Sequence, residues 1–316
     1  MKLFKLRSEN LTPTAGRHVH VSNPKMALLI LFGTFIAMML IVSVITGLIN
    51  SKLGETTASV RIMNVMQDLF VFILPAIVTA VVATKLPATF LRIDAGASTK
   101  TLLMSLVVLI CSTPAMNFII ALNQSMVLPD FLAPLENWAR SMEDGAEEAM
   151  QLMFGGTTVG DLIMSILIVG ILAGFSEEIF FRGALQRTMR ALRLGPNGAI
   201  WATAIIFSAM HFQFYGFIPR LLLGAYFGYL VWWSGSLWVP VLVHVCNNSI
   251  VVFMTWITSR TGVANIAEEF GASLSIDIKE IITIILSIAV TVIGIIILRR
   301  DAIASKNAHA APKPIE

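Results

Sequence analysis

Charged residues are scarce in this sequence. Only 13% of its 316 residues are Asp, Glu, Lys or Arg, whereas 56% are hydrophobic. Soluble globular domains carry about 25% charged residues. Because so little of the surface can be charged, most of it must face an apolar medium. This excludes an ordinary water-soluble domain.

Cysteine is also rare. The two cysteines, Cys111 and Cys246, lie far apart in apolar stretches, which excludes a disulfide framework and a cysteine-based metal knuckle. We expect both to be small buried hydrophobic residues. The basic residues lie at predicted helix ends and form no stripe interleaved with aromatic residues, so nothing indicates binding to nucleic acid.

Several catalytic motifs are missing as well. The sequence contains no Gly-x-Ser-x-Gly arrangement, the motif of one class of serine enzyme. It also lacks the His-Glu-x-x-His pattern of zinc peptidase helices. These absences argue against a serine hydrolase of that class and against a helix-borne zinc site. The only Ser-x-x-Lys arrangement, Ser22 to Lys25, precedes the first predicted span.

Long uncharged apolar runs are abundant instead. Residues 26–49 form 24 positions without a charge and residues 281–298 form 18, and a membrane-spanning helix needs about 20. The first run exceeds the roughly 7–15-residue apolar core of a cleaved signal peptide, so we expect an uncleaved anchor. The sequence predicts an all-α polytopic membrane helical bundle with about eight transmembrane helices, at 26–49, 68–86, 101–122, 160–182, 196–216, 219–234, 237–257 and 280–298.

The lysines and arginines predict the orientation. With a cytoplasmic N-terminus, 16 of the 22 basic residues lie in inner segments, so the positive-inside rule places both termini in the cytoplasm of a multi-pass plasma (inner) membrane protein. The outer loop at about 123–159 is acidic, and we expect an amphipathic helix lying over the membrane. The predicted parts are a cytoplasmic segment 1–25, a three-span half 26–159, a five-span catalytic region 160–300 and a cytoplasmic tail 301–316.

A few ionisable and amide side chains lie inside the predicted spans. Each ionisable group near the bilayer centre costs at least ~2.5 kcal/mol, so each one requires a reason. Two of the five histidines are among them. The set comprises Glu177, Glu178 and Arg182 in span four, His211 in span five, and His244, Asn247 and Asn248 in span seven.

Helical spacing assigns different roles to these residues. Glu178 and Arg182 are four residues apart, which predicts an intrahelical ion pair. Glu177 has no basic residue three or four positions further on, so it is a candidate general base. His244 and Asn248 are also four apart, and two donors on one helix face can stabilise an oxyanion. His211, from a third helix, could share a water molecule with Glu177.

One aspect of this arrangement conflicts with the predicted spans. If span five begins near residue 196, His211 lies about 22 Å into it at 1.5 Å per residue. Glu177 and His244 would then lie about 10 Å away in depth. Either helix four continues past Arg182, or helix five begins in the cytoplasm, and the sequence leaves both alternatives open.

These motifs resemble the CPBP family of intramembrane peptidases, which includes type II CAAX prenyl endopeptidases and bacteriocin-processing and self-immunity proteins. The family pattern is Glu-Glu-x-x-x-Arg, then Phe-x-x-x-His, then His-x-x-x-Asn. It is matched by Glu177 to Arg182, Phe207 to His211 and His244 to Asn248. The order and separation of the three motifs agree with the family, over about 75 residues.

The resemblance implies proteolysis within the membrane. Glu177 and His211 would activate the attacking water, His244 and Asn248 would stabilise the oxyanion, and Glu178 and Arg182 would organise the site. The family has been described both as glutamate-type and as metallopeptidases. Glu177, His211 and His244 could hold Zn2+ with an open position, although Asn248 is a poor zinc ligand, which favours the metal-free mechanism.

The expected partner is a hydrophobic or membrane-associated peptide or protein substrate, besides the lipid bilayer. A second hypothesis is a catalytically idle immunity or scaffold protein of the same fold that binds a peptide. A third is a proton-coupled transporter that uses the intramembrane Glu and His residues. Against the transporter, the polar residues cluster in the 177–248 half and no inverted repeat is visible.

Overall fold

The computed structural model describes residues 21, 23–261 and 277–310 and shows a bundle of helices. Most of the predicted segment 1–25 and residues 311–316 of the predicted tail lie outside the described residues. The helices are α1 (Pro24–Leu53), α2 (Thr57–Ala83), α3 (Pro87–Leu91), α4 (Thr99–Gln124), α5 (Ala133–Phe154), α6 (from Val159 to Leu194), α7 (Gly195–Ala209), α8 (Phe217–Ser234), α9 (Trp238–Thr261) and α10 (Ile278–Ala310).

The described residues contain seven helical stretches long and apolar enough to cross a membrane. One of them, Val159–Ala209, is interrupted where Arg193 adopts φ 68° and ψ 19°. This break separates α6 from α7, so each of the eight predicted spans has a helical counterpart. The chain is therefore a polytopic, all-α membrane protein.

Three predicted boundaries are wrong in ways that matter for the site. Helix α2 begins at Thr57 rather than at 68, because Thr56 and Ser59 form a capping box at its start. Helix α7 ends at Ala209 rather than at 216. Helix α10 continues to Ala310, so part of the predicted tail is helical.

Glycines allow the central helices to approach closely. A Cβ atom at Gly170 of α6 would lie 2.5 Å from Ser249 Oγ of α9, and one at Gly174 would lie 3.1 Å from Val245 Cγ2. On α8, Gly224 and Gly228 show the small-xxx-small spacing that predicts helix contact. A Cβ at Gly224 would lie 3.1 Å from Phe207 Cδ1 of α7. These contacts pack α9 closely against α6 and α8 closely against α7.

Aromatic side chains fill the space around the centre of α6. Phe180 and Phe181 are buried and pack edge-to-face, with ring centroids 5.0 Å apart. Phe72 of α2 and Phe207 of α7 pack against them at 5.5 Å and 5.0 Å. Large apolar side chains remain exposed along α1 and α10, as expected for lipid-facing helices.

Candidate active site

The carboxylate of Glu178 is the centre of a buried charged network. Its Oε1 atom accepts from Arg182 Nη1 at 2.7 Å, and the predicted ion pair is thereby confirmed. The same oxygen lies 2.9 Å from Nδ1 of His244, on α9. The side chains of Glu178 and Arg182 are both fully buried. Removing one partner of such a pair leaves an uncompensated buried charge, which is strongly destabilising.

Arg182 connects this network to α8. Its Nη2 donates to the Gly224 carbonyl at 3.0 Å, and Gln186, one turn further along α6, donates to the Gly228 carbonyl at 3.1 Å. The guanidinium also lies 4.5 Å from the centre of the Phe207 ring. Hydrogen bonds and a cation–π contact therefore offset part of the cost of burying the arginine.

Glu177 differs sharply from the neighbouring Glu178. Its side chain is 17% exposed, and Oε2 lies 3.8 Å from Nε2 of His244. In the part of the chain that the structure describes, no hydrogen bond to its carboxylate is seen. The carboxylate therefore has free acceptor capacity at the edge of the buried network, which is the property a general base needs.

His211 lies in the turn after α7, not within a span as predicted. Its Nδ1 is 2.7 Å from the Phe207 carbonyl. A carbonyl can only accept, so Nδ1 carries the proton and Nε2 of the neutral ring is left as an acceptor. Burial lowers the pKa of His211, although the nearby charge of Glu177 opposes this effect. The lowered pKa favours a neutral imidazole beside Glu177, with its proton on Nδ1.

The predicted mismatch in depth is resolved by the length of α6. Glu177 lies about 17 residues before the end of α6, and His211 lies about 16 residues after the start of α7. At 1.5 Å per residue, α6 places Glu177 about 25 Å from the α6–α7 break, and α7 places its last residue, just before the turn with His211, about 21 Å from the same break. The alternative in which α6 continues past Arg182 is therefore the correct one.

Asn248 faces α6 as well, one turn beyond His244. Its Nδ2 donates to the Val169 carbonyl at 3.2 Å, and its Oδ1 accepts from Asn247 at 3.3 Å. These two bonds fix the orientation of the amide. A carboxamide nitrogen carries two protons, so one N–H of Asn248 remains available beyond the bond to Val169.

Asp68 is a buried acidic residue that the sequence reasoning missed. It lies in α2, is only 3% exposed, and accepts from Ser176 Oγ at 2.6 Å. Its charge interacts with that of Glu177. Span two was predicted to begin at residue 68, which put Asp68 at the end of a helix. The capping box formed by Thr56 and Ser59 marks the true start of α2. Recognising it in the sequence would have placed Asp68 in the interior of the helix.

The acidic segment predicted to form an amphipathic helix is helix α5, and it contacts the loop that carries His211. Glu143 accepts weakly from Gln213 at 3.5 Å, and Gln213 accepts from Arg220 at 2.6 Å. Arg140 of α5 lies 4.7 Å above the Tyr215 ring. The helix is thus attached to one side of the site and is not solvated on all faces.

Glu177, His211 and His244 do not form a zinc site in this arrangement. Among the described residues, no three His, Cys, Asp or Glu side chains are placed to hold a metal ion. The Nδ1 atoms of both histidines are bonded, to Phe207 and Glu178, which leaves only their Nε2 atoms unbonded. These Nε2 atoms and the Glu177 carboxylate are not placed as three ligands of one ion.

The comparisons with known proteins concern the same part of the chain. Residues 159–250 match the family described as type II CAAX prenyl endopeptidase Rce1-like. The uncharacterized protein YpbD of Bacillus subtilis is 30% identical over 92 residues, which cover 28% of this chain and 44% of YpbD. The chain thus matches less than half the length of this relative. No solved structure matches the chain.

Proposed function

Because residues 159–250 form an Rce1-like domain in a multi-pass membrane protein, we propose that this chain is an intramembrane endopeptidase whose attacking water is activated by Glu177 and His211. The observation that carries the proposal is the contrast between two adjacent carboxylates. Glu178 is bonded to both Arg182 and His244, whereas Glu177 is free beside the Nε2 atom of His244.

Glu177 is the general base. As the water oxygen bonds to the carbonyl carbon of the substrate, one water proton passes to the Glu177 carboxylate. Nε2 of His211 accepts a hydrogen bond from the same water, since its Nδ1 proton is donated to the Phe207 carbonyl. A base positioned in this way contributes typically about 10²–10⁴-fold to the rate.

His244 and Asn248 stabilise the oxyanion that forms on the carbonyl oxygen. His244 donates Nδ1–H to Glu178, and when the ring is protonated Nε2–H is the second donor. Its positive charge then lies near the carboxylates of both Glu177 and Glu178. Asn248 supplies the N–H that is not bonded to Val169. Collapse of the intermediate breaks the C–N bond, and the proton held by Glu177 passes to the leaving nitrogen.

The substrate that fits this site is a hydrophobic or membrane-associated peptide or protein. The site lies between apolar helices, so a peptide must reach it from the bilayer or its surface. The distribution of basic residues supports a plasma (inner) membrane location with both termini in the cytoplasm.

The proposal is tested on the protein purified in detergent with a panel of fluorogenic hydrophobic peptides. Wild type is expected to cleave at least one peptide, and Glu177→Ala and His211→Ala are expected to lose that cleavage. Phenanthroline in the same assay tests for an essential accessible metal, and we expect unchanged activity. If no peptide is cleaved but one binds, the catalytically idle binding protein is the better account.

A further inference from the structure

Three arginines converge at the end of the bundle where α6 meets α7. Arg187 and Arg190 lie on successive turns of α6, and Arg92 follows α3. The guanidinium of Arg187 lies 5.6 Å from the centre of the Phe90 ring, and that of Arg190 lies 4.4 Å from the centre of the Trp232 ring. We call Arg92, Arg187 and Arg190 the arginine cluster.

The positive charges of the arginine cluster are poorly neutralised. Burial lowers the pKa of Arg92, and repulsion from Arg190 lowers it further, whereas Asp94 opposes both effects. The charge of Arg187 interacts with the same three groups. Within the described residues none of the three arginines forms a salt bridge, and Asp94 is exposed and accepts from Thr89 at 2.6 Å. Three cations thus share one solvated carboxylate.

The backbone around the cluster is held in a defined geometry. Arg92 has a left-handed conformation, with φ 60° and ψ 27°, and its Nη1 donates to the Gly235 carbonyl at 2.9 Å. Leu237 N donates to the Arg92 carbonyl at 3.1 Å, which connects the start of α9 to the same loop. The three guanidiniums are therefore presented by two segments, α6 and the loop after α3, of which the loop is bonded to the α8–α9 connection.

Tryptophans place this end of the bundle at the depth of the lipid headgroups. Trp232 stacks with Arg190, and Trp238 donates its indole N–H to the Ile93 carbonyl at 2.9 Å. Tryptophan is enriched at membrane–water interfaces, where one part of the ring is apolar and the other wet. The anions available at that depth are the phosphate groups of lipids.

We propose that the arginine cluster binds the phosphate of an anionic phospholipid headgroup. Arginine forms bidentate bonds with phosphate oxygens, and basic pockets between transmembrane helices bind anionic headgroups. The bound phosphate supplies the negative charge that the protein lacks here. It also holds α6 against α3 and the start of α9. Glu177 lies on the same helix, α6. The proposal stands independently of the peptidase assignment.

Native mass spectrometry of the purified protein tests this site directly. The protein is mixed with phosphatidylglycerol or phosphatidylcholine of the same acyl chains, and lipid retention is measured. Wild type is expected to prefer phosphatidylglycerol. At about 1 kcal/mol per arginine near an anionic surface, Arg190→Gln should weaken this binding roughly 5-fold and the double variant R187Q/R190Q roughly 30-fold.

Arg260 provides the matched control, because its guanidinium lies 5.2 Å from the centre of the Trp256 ring at the opposite end of α9. Arg260→Gln should leave retention unchanged. Should the double variant fail to fold, as judged by its melting in detergent, the single variant decides. Equal retention of both lipids by wild type, undiminished retention in Arg190→Gln, or displacement of the lipid by soluble glycerol phosphate would each overturn the proposal.

Discussion

The site consists of two halves that differ in how their side chains are bonded. In the framework half, Glu178 bonds to Arg182 and His244, and Arg182 and Gln186 donate to the backbone of α8. All three side chains are buried, although Glu178 Oε2, Arg182 Nε and Gln186 Oε1 have no partner among the described residues. In the reactive half, Glu177 and Nε2 of His211 keep free acceptor capacity. Two neighbouring glutamates of one helix thus differ because helix packing gives partners to only one of them. The framework half stabilises the fold, and the reactive half is available for chemistry.

The largest effect is expected for Glu177→Gln, which keeps the size of the side chain and removes the base. Peptide cleavage should fall by about 10²–10⁴-fold. The melting temperature in detergent should stay near that of wild type, because this carboxylate takes part in no framework bond. A variant that melts far below wild type would assign Glu177 to the framework half instead.

Glu178→Gln should have the opposite profile. It leaves Arg182 buried without its counter-charge, and breaking a buried pair costs about 3–5 kcal/mol. The free energy of unfolding, measured by denaturant titration in mixed micelles, should fall accordingly, and activity should fall with it. The more exposed pair Arg140–Glu136 is the control, since Glu136→Gln should cost much less stability. Equal losses of stability in Glu177→Gln and Glu178→Gln would remove the distinction between the halves.

Asn248→Ala tests whether the Asn248 amide contributes both to catalysis and to stability. Loss of one oxyanion donor typically reduces turnover by about 10²–10³-fold, while loss of the bond to Val169 should cost only about 1 kcal/mol of stability. Asn247→Ala is the comparison, because Asn247 merely orients its neighbour. If both variants retain wild-type turnover, Asn248 acts only as a packing residue.

The smallest of these effects is expected for Gly174→Val. The added side chain meets Val245 of α9, whose Cγ2 atom would lie 3.1 Å from the new Cβ, and overpacking typically costs about 1–3 kcal/mol. Gly33→Val on α1 is the control, because nothing lies within 4 Å of a Cβ at that position. Gly174→Val should melt clearly below Gly33→Val. Similar melting temperatures would show that α6 and α9 need no close approach.

Local spacing predicted the parts of the site that depend on one helix alone. The Glu178–Arg182 pair is confirmed because side chains four residues apart in a helix always lie on the same face. The bond between His244 and Glu178 was not predicted. It depends on the register of α9 against α6, which Gly170 and Gly174 set through contacts with residues distant in sequence.

Two other features escaped prediction for related reasons. His211 was placed within a span, but the chain leaves the helix after Ala209, where Phe212 adopts a left-handed φ of 54°. Asp68 was missed because a boundary error of eleven residues put it at a helix end. Apolar sequence predicts the existence of a span well and its ends poorly.

The most direct test of the division into a framework half and a reactive half is to measure peptide binding and peptide cleavage separately in Glu177→Gln. A hydrophobic peptide that wild type cleaves is labelled, and its dissociation constant and cleavage rate are measured on the same variant preparation. The account predicts a dissociation constant close to that of wild type and almost no cleavage. Cleavage at the wild-type rate, or a loss of binding as large as the loss of cleavage, would contradict it.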